Sequence, residues 1–379
     1  MPPTETDTAL YLDKPEEVDR FLSEISAVTE LALDTEGASF HRFLDRIYLL
    51  QLSTRDRSAI IDPLPVEKPS GLGALLESKS VEVVFHDADY DLRLLHQDYG
   101  WHVANIFDTR IASQLLGIKS FGLAALLEQF FAVKLDKKHQ RADWSMRPLT
   151  RDMLEYAAQD TRYLLQLKDH MKAELERRGR LHWAQEEFSR LEGTRWDAED
   201  AMEGFLRLKG ARDLTRPELA VLRELVHWRD TVAAQLDRAT FRVMGNEVLL
   251  DLSRNPPRSV SELSAIKGMP KGMIDRAGPD IIAAVRRGLE VPEAELPRFP
   301  RGQRWNKDRD FDARVVRLKG VRDEVARALD LDPGVLCSRE RLENIARSTA
   351  KTADDLLAVP GLRRWQIEVM GPGLLSALA

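Results

Sequence analysis

The sequence predicts an α/β domain followed by two small all-α domains, and three observations support this. Short apolar runs of strand length, bounded by polar turns, lie in the first half of the 379 residues. From about residue 200 onward we find only short helical patterns separated by Gly and Pro. A pattern in this second half then recurs at a constant spacing.

Four apolar runs in the first half are interpreted as strands: Leu31–Leu33, Ile47–Leu52, Ala59–Ile61 and Val81–Phe85. The first three lie close together, and no helix fits between the second and the third. This spacing favours a small antiparallel meander over a pure βαβ series.

Longer amphipathic stretches follow and predict helices over Tyr90–Tyr99, Thr109–Leu116, Leu123–Phe131 and Thr150–Arg178. The last of these begins at Thr150, an N-cap residue that follows Pro148, and ends before Gly179.

The second half contains two copies of one pattern, displaced by 93 residues. The copies are Arg229-Asp230, Gly268, Gly278-Pro279 and Arg322-Asp323, Gly361, Gly371-Pro372. Repeats of about 20–50 residues indicate solenoids, whereas this spacing predicts two tandem small domains. A segment rich in Pro and charge, Val291–Arg304, is interpreted as a semi-rigid linker. We therefore place the domains at residues 1–195, 203–290 and 310–379, with the linker at 291–309.

The net charge of −6 divides unevenly along the chain. Residues 1–200 contain 25 Lys+Arg and 36 Asp+Glu, a net charge of −11, whereas residues 201–379 contain 31 and 26, a net charge of +5. The acidic first half of the chain suits cation binding, and the basic second half suits contact with phosphates. Unevenly spread solvated charge is the alternative interpretation.

Composition and the chain start indicate a cytoplasmic globular protein without a membrane partner. The chain is 43% apolar and 31% charged, and its one cysteine, Cys337, excludes a disulfide framework. The acidic N-terminal stretch lacks the features of a signal peptide. No apolar run approaches the ~18 residues that a membrane span requires.

The first candidate site follows the strand Leu31–Leu33, where Asp34 and Glu36 share one face because side chains alternate along a strand. Two adjacent carboxylates repel, so one of them takes up a proton unless a cation compensates it. Taken alone, a solvated strand edge is an equally good interpretation of these two acids.

Two further acidic motifs follow. Asp87, Asp89 and Asp91 come directly after the strand Val81–Phe85, and strand ends are where α/β folds usually bind ligands. A helix N-cap is the alternative for Asp87 and is favoured for Asp89. Tyr156 and Asp160 are i,i+4 neighbours on one helix face. Taken alone, this pair is better interpreted as an ordinary pair on a helix surface.

Together these motifs favour a metal site over the separate structural interpretations. Four carboxylates from strand ends and helices suit Mg²⁺ or Mn²⁺. Two such ions about 3.5–4 Å apart can stabilise both the attacking and the leaving oxygen of an in-line phosphoryl displacement. A tyrosine hydroxyl nearby can orient the attacking water or accept its proton.

The motifs resemble those of the DEDD exonucleases that carry a tyrosine in the last motif. The matching residues are Asp34-Thr35-Glu36, His86 with Tyr90-Asp91-Leu92, and Tyr156 with Asp160. The stretch Arg141–Leu149, together with Leu135-Asp136-Lys137 and Asp108-Thr109, is similar to bacterial ribonuclease D in particular. The resemblance covers roughly residues 10–180, and Asp87 departs from it, since many relatives carry Asn or a small residue there.

This resemblance implies a ribonuclease-H-like fold and a metal-dependent 3′-5′ exoribonuclease. It implies that Asp34, Glu36, Asp91 and Asp160 bind the two metal ions and that Tyr156 positions the nucleophilic water. His86 is a candidate substrate contact, although a hydrogen-bonded structural histidine is equally consistent with the sequence.

The two C-terminal copies resemble the HRDC domain of ribonuclease D and RecQ-type helicases, which implies RNA binding. A glycine turn before a helix offers free backbone N–H groups to a phosphate. Lys267 and Lys271 flank the first turn, and Arg363, Arg364 and Trp365 flank the second. A glycine needed only for the turn is the alternative. We interpret Trp144, Trp183 and Trp228 as packing anchors.

The expected substrates are structured RNA 3′ ends, such as transfer-RNA precursors. A proofreading-type DNA exonuclease shares the carboxylate set, and no residue visibly reads a 2′-hydroxyl. A catalytically silent RNA-binding scaffold is disfavoured, because RNA binding alone does not require four acids and Tyr156 at one site. The absence of a GK[ST] motif excludes the P-loop of a helicase. Oligomeric state is not determined by the sequence.

Overall fold

The computed structural model describes residues 9–136, 138–197, 204–269, 271–300 and 309–379. The described residues divide into two compact units. Unit 1 contains residues 9–37, 47–196 and 309–379, and unit 2 contains residues 38–46 together with those described between 197 and 300. Part of the predicted linker, residues 301–308, lies outside the described residues, as do Lys137 and residues 198–203.

Unit 1 is built on a mixed six-stranded sheet in the order β1-β4-β3-β2-β5-β6. The strands are β1 Leu10–Leu12, β2 Glu30–Glu36, β3 Leu49–Ser53, β4 Ser58–Ile61, β5 Glu82–Phe85 and β6 Ile106–Asp108. Strands β2, β3 and β4 pair antiparallel, which confirms the predicted meander. Strand β5 runs parallel to β2 on one side and to β6 on the other.

The helices of the first half are α1 Pro15–Glu24, α2 Pro63–Val66, α3 Ser70–Leu76, α4 Asp89–Tyr99, α5 Thr109–Leu115, α6 Leu123–Phe131, α7 Arg151–Arg162, α8 Leu164–Arg177 and α9 Leu181–Leu191. Those of the second half are α10 Arg216–Gln235, α11 Thr240–Val243, α12 Asn246–Arg254, α13 Lys271–Leu289, α14 Phe311–Leu329, α15 Pro333–Leu336, α16 Arg339–Arg347, α17 Ala353–Leu357 and α18 Arg364–Leu378. The fold class predicted from the sequence is confirmed. No helix in the described part of the chain combines the length and apolar character of a membrane span.

The sheet separates two apolar clusters, because alternate residues of each strand face opposite sides. One cluster contains Leu31 and Leu33 of β2 and packs against α1, α3 and α4. The other contains Ala32 of β2 and packs against α5, α8 and α9. Asp34 and Glu36 continue the Ala32 face at the carboxyl end of β2, so this end of the sheet carries the acids.

The second helical repeat packs within unit 1, where the sequence predicted a separate module. The apolar cluster that includes Ala32 continues into α14, α16 and α18. Trp183 of α9 stacks on Trp365 of α18 with ring centroids 5.0 Å apart. Arg180, 8% exposed, donates from its guanidinium to the backbone oxygen of Leu329 at 2.6 Å. The buried surface of this repeat therefore depends on the first half of the chain.

Unit 2 contains the first helical repeat, α10 to α13, around its own apolar core. The repeat predicted from the sequence has a structural basis in the glycine turns, because Gly268 and Gly361 adopt φ angles of +82° and +85°. Only glycine adopts this backbone conformation without strain. In unit 2, a Cβ added at Gly278 would lie 2.8 Å from Val260, so close packing also requires glycine there.

Candidate active site

Three carboxylates converge at the carboxyl end of β2. One oxygen each of Asp34, Glu36 and Asp160 can be chosen so that all three lie within 4.8 Å of one another. Asp34 and Glu36 come from the same strand, and Asp160 comes from α7, which packs across β2, β3 and β4. Thr150 caps α7 by accepting a hydrogen bond from Met153 N at 3.2 Å.

The fourth acid, Asp91, reaches the same cluster from α4 and is held there by Thr35. The backbone N–H and the hydroxyl of Thr35 both donate to Asp91 Oδ1, at 3.1 and 2.5 Å. Asp91 is 5% exposed, and its charge raises the pKa of Glu36 and Asp160. The structure therefore brings all four predicted acids together.

Burial and mutual repulsion raise the pKa of every acid in the cluster. For Asp34, Glu36 and Asp91 burial is the larger cause, and the neighbouring carboxylates add to it. The pKa of Asp160 rises to about 7, first through burial and then through the charge of Asp91. Within the described part of the chain, no lysine or arginine is among the groups that shift these pKa values.

This set of donors fits a divalent metal. The cluster offers hard oxygen ligands, which Mg²⁺ and Mn²⁺ prefer, at spacings that allow shared coordination. A cation here would remove the repulsion that raises the pKa values. The spacing and mutual repulsion of the acids therefore suit a bound cation.

Tyr156 lies one helical turn before Asp160 on α7 and faces the acids. Burial, and then the charges of Asp160 and Glu36, raise the pKa of the Tyr156 phenol above its ordinary value. The Tyr156 ring lies 5.9 Å from the His139 ring and 6.0 Å from the ring of Trp144, which is 1% exposed. The phenol is thus fixed by packing and keeps its proton at neutral pH.

The segment that covers Tyr156 is fastened to the sheet by Arg147. Its guanidinium forms an ion pair with Asp62 and donates to the backbone oxygens of Tyr48 at 2.9 Å and Trp144 at 2.7 Å. The stretch Arg141–Leu149, which carries part of the family resemblance, therefore holds Trp144 against Tyr156. Trp144, Trp183 and Trp228 are all buried, as predicted for packing anchors.

His86 follows β5 on the same sheet face as Asp34. Thr109 Oγ1 donates its one proton to the backbone oxygen of Phe85 at 2.9 Å. The 2.9 Å contact between Thr109 Oγ1 and His86 Nδ1 then requires Nδ1 to be the donor. Burial is the main cause that lowers the pKa of His86 to about 4. The ring is therefore neutral, and its Nε2 is an acceptor.

The acidic neighbours of His86 have structural partners. Asp87, with a φ of +71°, forms an ion pair with Arg110. Asp89, for which the sequence favoured a helix N-cap, is the first residue of α4 and pairs with Arg93 at 2.8 Å instead. The N-cap position is Ala88, so the side-chain cap expected at Asp89 is wrong.

The HRDC-type positions differ between the two copies. Lys267 and Lys271 are exposed in unit 2, and their role in phosphate contact stays a prediction. Arg364 is also exposed, and its role stays a prediction too. The predicted RNA contact of Arg363 is contradicted, because this side chain is 4% exposed and pairs with Glu187 at 3.2 Å. Trp365 is 2% exposed, so it offers no stacking surface.

Two glutamates of α9 occupy the N-terminus of α18. Glu186 accepts hydrogen bonds from the backbone N–H groups of Arg364 and Trp365 at 2.9 and 3.0 Å. Glu187 accepts from the Trp365 indole at 2.9 Å. The helix N-terminus that was expected to bind a phosphate thus binds a carboxylate of the same chain.

Sequence reasoning missed two residues of the site. Thr35 lies inside the Asp34-Thr35-Glu36 motif, but alternation along the strand places its side chain on the face opposite to Asp34 and Glu36. The sequence therefore gave no reason to link Thr35 to Asp91. Gln51 of β3 is directly opposite Asp34 in the antiparallel register and is fully buried. A polar residue within the apolar run Ile47–Leu52 was the signal that could have identified it.

Comparison with known proteins gives consistent matches. A family model described as a 3′-5′ exonuclease matches residues 10–176, and the HRDC domain matches residues 218–285 and 311–378. Ribonuclease D of Nitrobacter hamburgensis is 30% identical over 91% of this chain and 89% of its own length. Ribonuclease D of Granulibacter bethesdensis is 28% identical over 96% of this chain and 91% of its own length.

Solved structures agree with these matches. The crystal structure of Escherichia coli RNase D, described as an exoribonuclease involved in structured RNA processing, matches with a TM-score of 0.75 and 26% identity over 98% of each chain. A protein from Bifidobacterium adolescentis matches with a TM-score of 0.84 and 25% identity over 100% of this chain and 99% of its own.

Proposed function

The chain belongs to the ribonuclease D family of 3′-5′ exonucleases, and we propose that it removes nucleotides hydrolytically from the 3′ ends of structured RNA. Transfer-RNA precursors are the substrates we expect, and the cytoplasm is the expected location. The observation that carries the proposal is the cluster of four acids whose pKa values are raised by burial and mutual repulsion.

Asp34, Glu36, Asp91 and Asp160 are the residues that would hold two divalent ions, Mg²⁺ or Mn²⁺. When bound, such a pair lowers the pKa of water and neutralises charge on the attacking and leaving oxygens. Thr35 fixes the Asp91 carboxylate through two hydrogen bonds, which orients it toward the other acids. Support for a metal role comes from the pKa values of these acids, which no basic residue lowers among those that the structure describes.

The protonated phenol of Tyr156 is suited to orient the attacking water by a hydrogen bond. Its ring is held by Trp144, so its hydroxyl has a defined position. Neutral His86 offers Nε2 as an acceptor, which suits a contact with a hydroxyl group of the substrate and not with a phosphate. Lys267, Lys271 and Arg364 are the exposed cations that we propose contact RNA phosphates.

The proposal is tested with 5′-labelled RNA and with DNA of the same sequence, each incubated with Mg²⁺, Mn²⁺ or EDTA. We expect RNA to shorten stepwise from its 3′ end in the presence of metal and to remain intact in EDTA. Asp160→Asn, purified in parallel, excludes a contaminating nuclease. Internal cleavage products, or a clear preference for DNA, would contradict the proposal.

A further inference from the structure

Three phenylalanine rings are exposed on one part of unit 2, which we name the aromatic platform. Phe40 and Phe43 belong to the segment 38–46, and Phe241 belongs to α11; they are 45%, 40% and 50% exposed. The Phe40 and Phe241 rings contact edge to face with centroids 6.3 Å apart. The other ten of the 13 phenylalanines are buried or half-buried, so exposure of this residue type is confined to the platform.

Polar contacts, and not burial of the rings, hold the platform in place. Asp237 accepts hydrogen bonds from Arg42 Nη1 at 3.2 Å and from the backbone N–H of Phe43 at 3.3 Å. The backbone N–H of Ala239 donates to the oxygen of His41 at 3.2 Å. The segment that carries the rings is thus fixed while the rings stay partly exposed, which lowers the entropy lost when a ligand binds.

Basic residues are frequent in the segments that carry the platform. Arg46, Arg238 and Arg242 are exposed, and Arg42 is partly exposed. The acids within the same segments are Asp45 and Asp237, so positive charge is in excess. Aromatic rings among arginines are the combination that binds single-stranded nucleic acid, since bases stack on the rings and phosphates face the cations.

The aromatic platform begins shortly after the Asp34-Thr35-Glu36 motif along the chain. Phe40 is four residues beyond Glu36, so their Cα atoms are at most about 15 Å apart. We propose that the aromatic platform binds the single-stranded RNA leading to the active site, with bases stacked on Phe40, Phe43 and Phe241. This inference rests on the proposed function, because it assumes that RNA is the substrate.

The test uses the full chain and compares wild type with the double variant Phe40→Ala, Phe241→Ala. Affinity for a single-stranded RNA of about 12 nucleotides is measured by anisotropy in EDTA, where no cleavage occurs. Loss of one stacked base lowers affinity by about fivefold or more. We therefore expect the double variant to bind the RNA at least about tenfold more weakly than wild type. Leu289→Ala, which removes a 52% exposed side chain elsewhere in unit 2, is the matched control and should bind as wild type.

A second measurement separates stacking from charge. In Mg²⁺, the ratio of kcat/KM for this RNA to kcat/KM for a dinucleotide should fall at least about tenfold in the double variant. Arg238→Ala with Arg242→Ala should instead reduce the slope of log affinity against log salt, by about 0.7 for each lost phosphate contact.

Unchanged affinity and an unchanged ratio in a folded double variant would overturn the inference and indicate a protein partner for the platform. The proposed function would still stand in that case, because the wild type would hydrolyse RNA. Failure of the proposed function is a different result, in which the wild type hydrolyses neither the RNA nor the dinucleotide.

A separate observation concerns Gln51, whose side chain is fully buried beneath α7. Its amide nitrogen and oxygen have no hydrogen-bond partner among the described residues. The register pairs Gln51 with Asp34, and directly opposite residues of antiparallel strands place their side chains on the same face. A buried amide without a partner destabilises a fold, so its retention requires a reason.

The geometry points to Gln51 as a positioning residue for the metal-binding carboxylates. Its side chain shares a sheet face with that of Asp34, and its amide N–H would donate to the Asp34 carboxylate when that group holds a cation. Residues that orient metal ligands in this way change metal affinity or activity by about 10- to 100-fold when they are replaced.

Gln51→Met tests this role, since it keeps the volume and removes the amide. In EDTA we expect its Tm to equal or exceed that of wild type, because an unpaired polar group is lost. The Mg²⁺ concentration that half-saturates the metal-induced rise in Tm should increase about 10-fold or more. Ser53→Ala is the control, because Ser53 faces the same side but already bonds Thr161 at 2.8 Å.

An unchanged Mg²⁺ requirement in Gln51→Met would overturn the positioning role. An equal increase in Ser53→Ala would also overturn it, because packing under α7 would then explain both results. An increase confined to Gln51→Met, together with an undiminished Tm in EDTA, supports it.

Discussion

Replacing Asp160 with Asn separates the stability of the acidic cluster from its chemistry. Burial and the charge of Asp91 raise the pKa of Asp160 to about 7 from an ordinary value of 3.8. That difference corresponds to at most about 4 kcal/mol of destabilisation of the folded chain by the ionised group. Because the four acids share protons, we expect Asp160→Asn without metal to be about 1–3 kcal/mol more stable at pH 8.

The raised pKa also determines the pH dependence of this gain. Below about pH 4 the carboxyl is protonated in the folded and in the unfolded chain, so the substitution changes stability little. Between the ordinary pKa of 3.8 and the folded pKa of about 7, the unfolded chain releases its proton first and the folded chain is penalised increasingly. Above that range the penalty is constant, so the gain is larger at pH 8 than at pH 5.

The assay is thermal unfolding by circular dichroism in EDTA at pH 5 and pH 8, with both proteins repeated in saturating Mg²⁺. At pH 8 in EDTA we expect Tm to rise by about 2–10 °C in Asp160→Asn. In Mg²⁺ the difference should shrink or reverse, because the wild type gains a bound cation while the variant has lost a charged ligand. RNA turnover by the variant should fall to background.

A control on the same helix separates the site from general charge effects. Asp152→Asn makes the same chemical change at a side chain that is 72% exposed, and it should alter neither Tm nor turnover appreciably. The reasoning would be refuted by an Asp160→Asn variant that is no more stable than wild type at pH 8 in EDTA. Turnover near the wild-type rate in Mg²⁺ would refute the metal-ligand role itself.

Four further predictions follow from the contacts of the site and of the second repeat. Tyr156→Phe should lower kcat by a factor of about 10²–10⁴. The Mg²⁺ concentration that half-saturates the metal-induced rise in Tm should stay unchanged. A kcat equal to that of wild type at every pH would mean that the phenol has no part in the mechanism. Thr35→Val removes one donor to Asp91 and should raise the half-saturating Mg²⁺ concentration about 10-fold or more in a titration of activity. Glu187→Ala leaves Arg363 buried without its partner and should lower the free energy of unfolding by about 3 kcal/mol or more in urea denaturation, whereas a loss below about 1 kcal/mol would mean that the pair contributes little. A chain ended at residue 195 should unfold at lower temperature or aggregate, because it exposes the face of Trp183 that Trp365 covers; a soluble, cooperatively folding fragment would contradict this.

The catalytic end of the sheet could be predicted because its signals are local. Strands β2 to β5 coincide with apolar runs, and Asp34 and Glu36 share a face by alternation alone. Strands β1 and β6 were missed because three residues each are too few to show a period. The predicted helix Thr150–Arg178 is divided at Tyr163, where no proline or glycine marks the break.

Contacts between distant segments could not be predicted, since they depend on which surfaces the fold brings together. The second repeat belongs to the same compact unit as residues 47–196, and the domain bounds taken from the sequence give no sign of this. Nothing near Arg180 or Trp183 in the sequence indicates that α18 covers them. Thr35 is a similar case, because its partner Asp91 is 56 residues away.

The two glycine turns show why a correct chemical interpretation can still give a wrong ligand. A helix N-terminus with basic neighbours favours an anion, whether a phosphate or a carboxylate. In the second copy the anion at the helix N-terminus is Glu186, and Glu187 binds the buried Arg363 and Trp365 side chains. In the first copy Lys271, which the 93-residue offset aligns with Arg364, stays exposed. What distinguishes the copies is therefore not their own motif but two glutamates on α9, more than 170 residues before the helix that they bind.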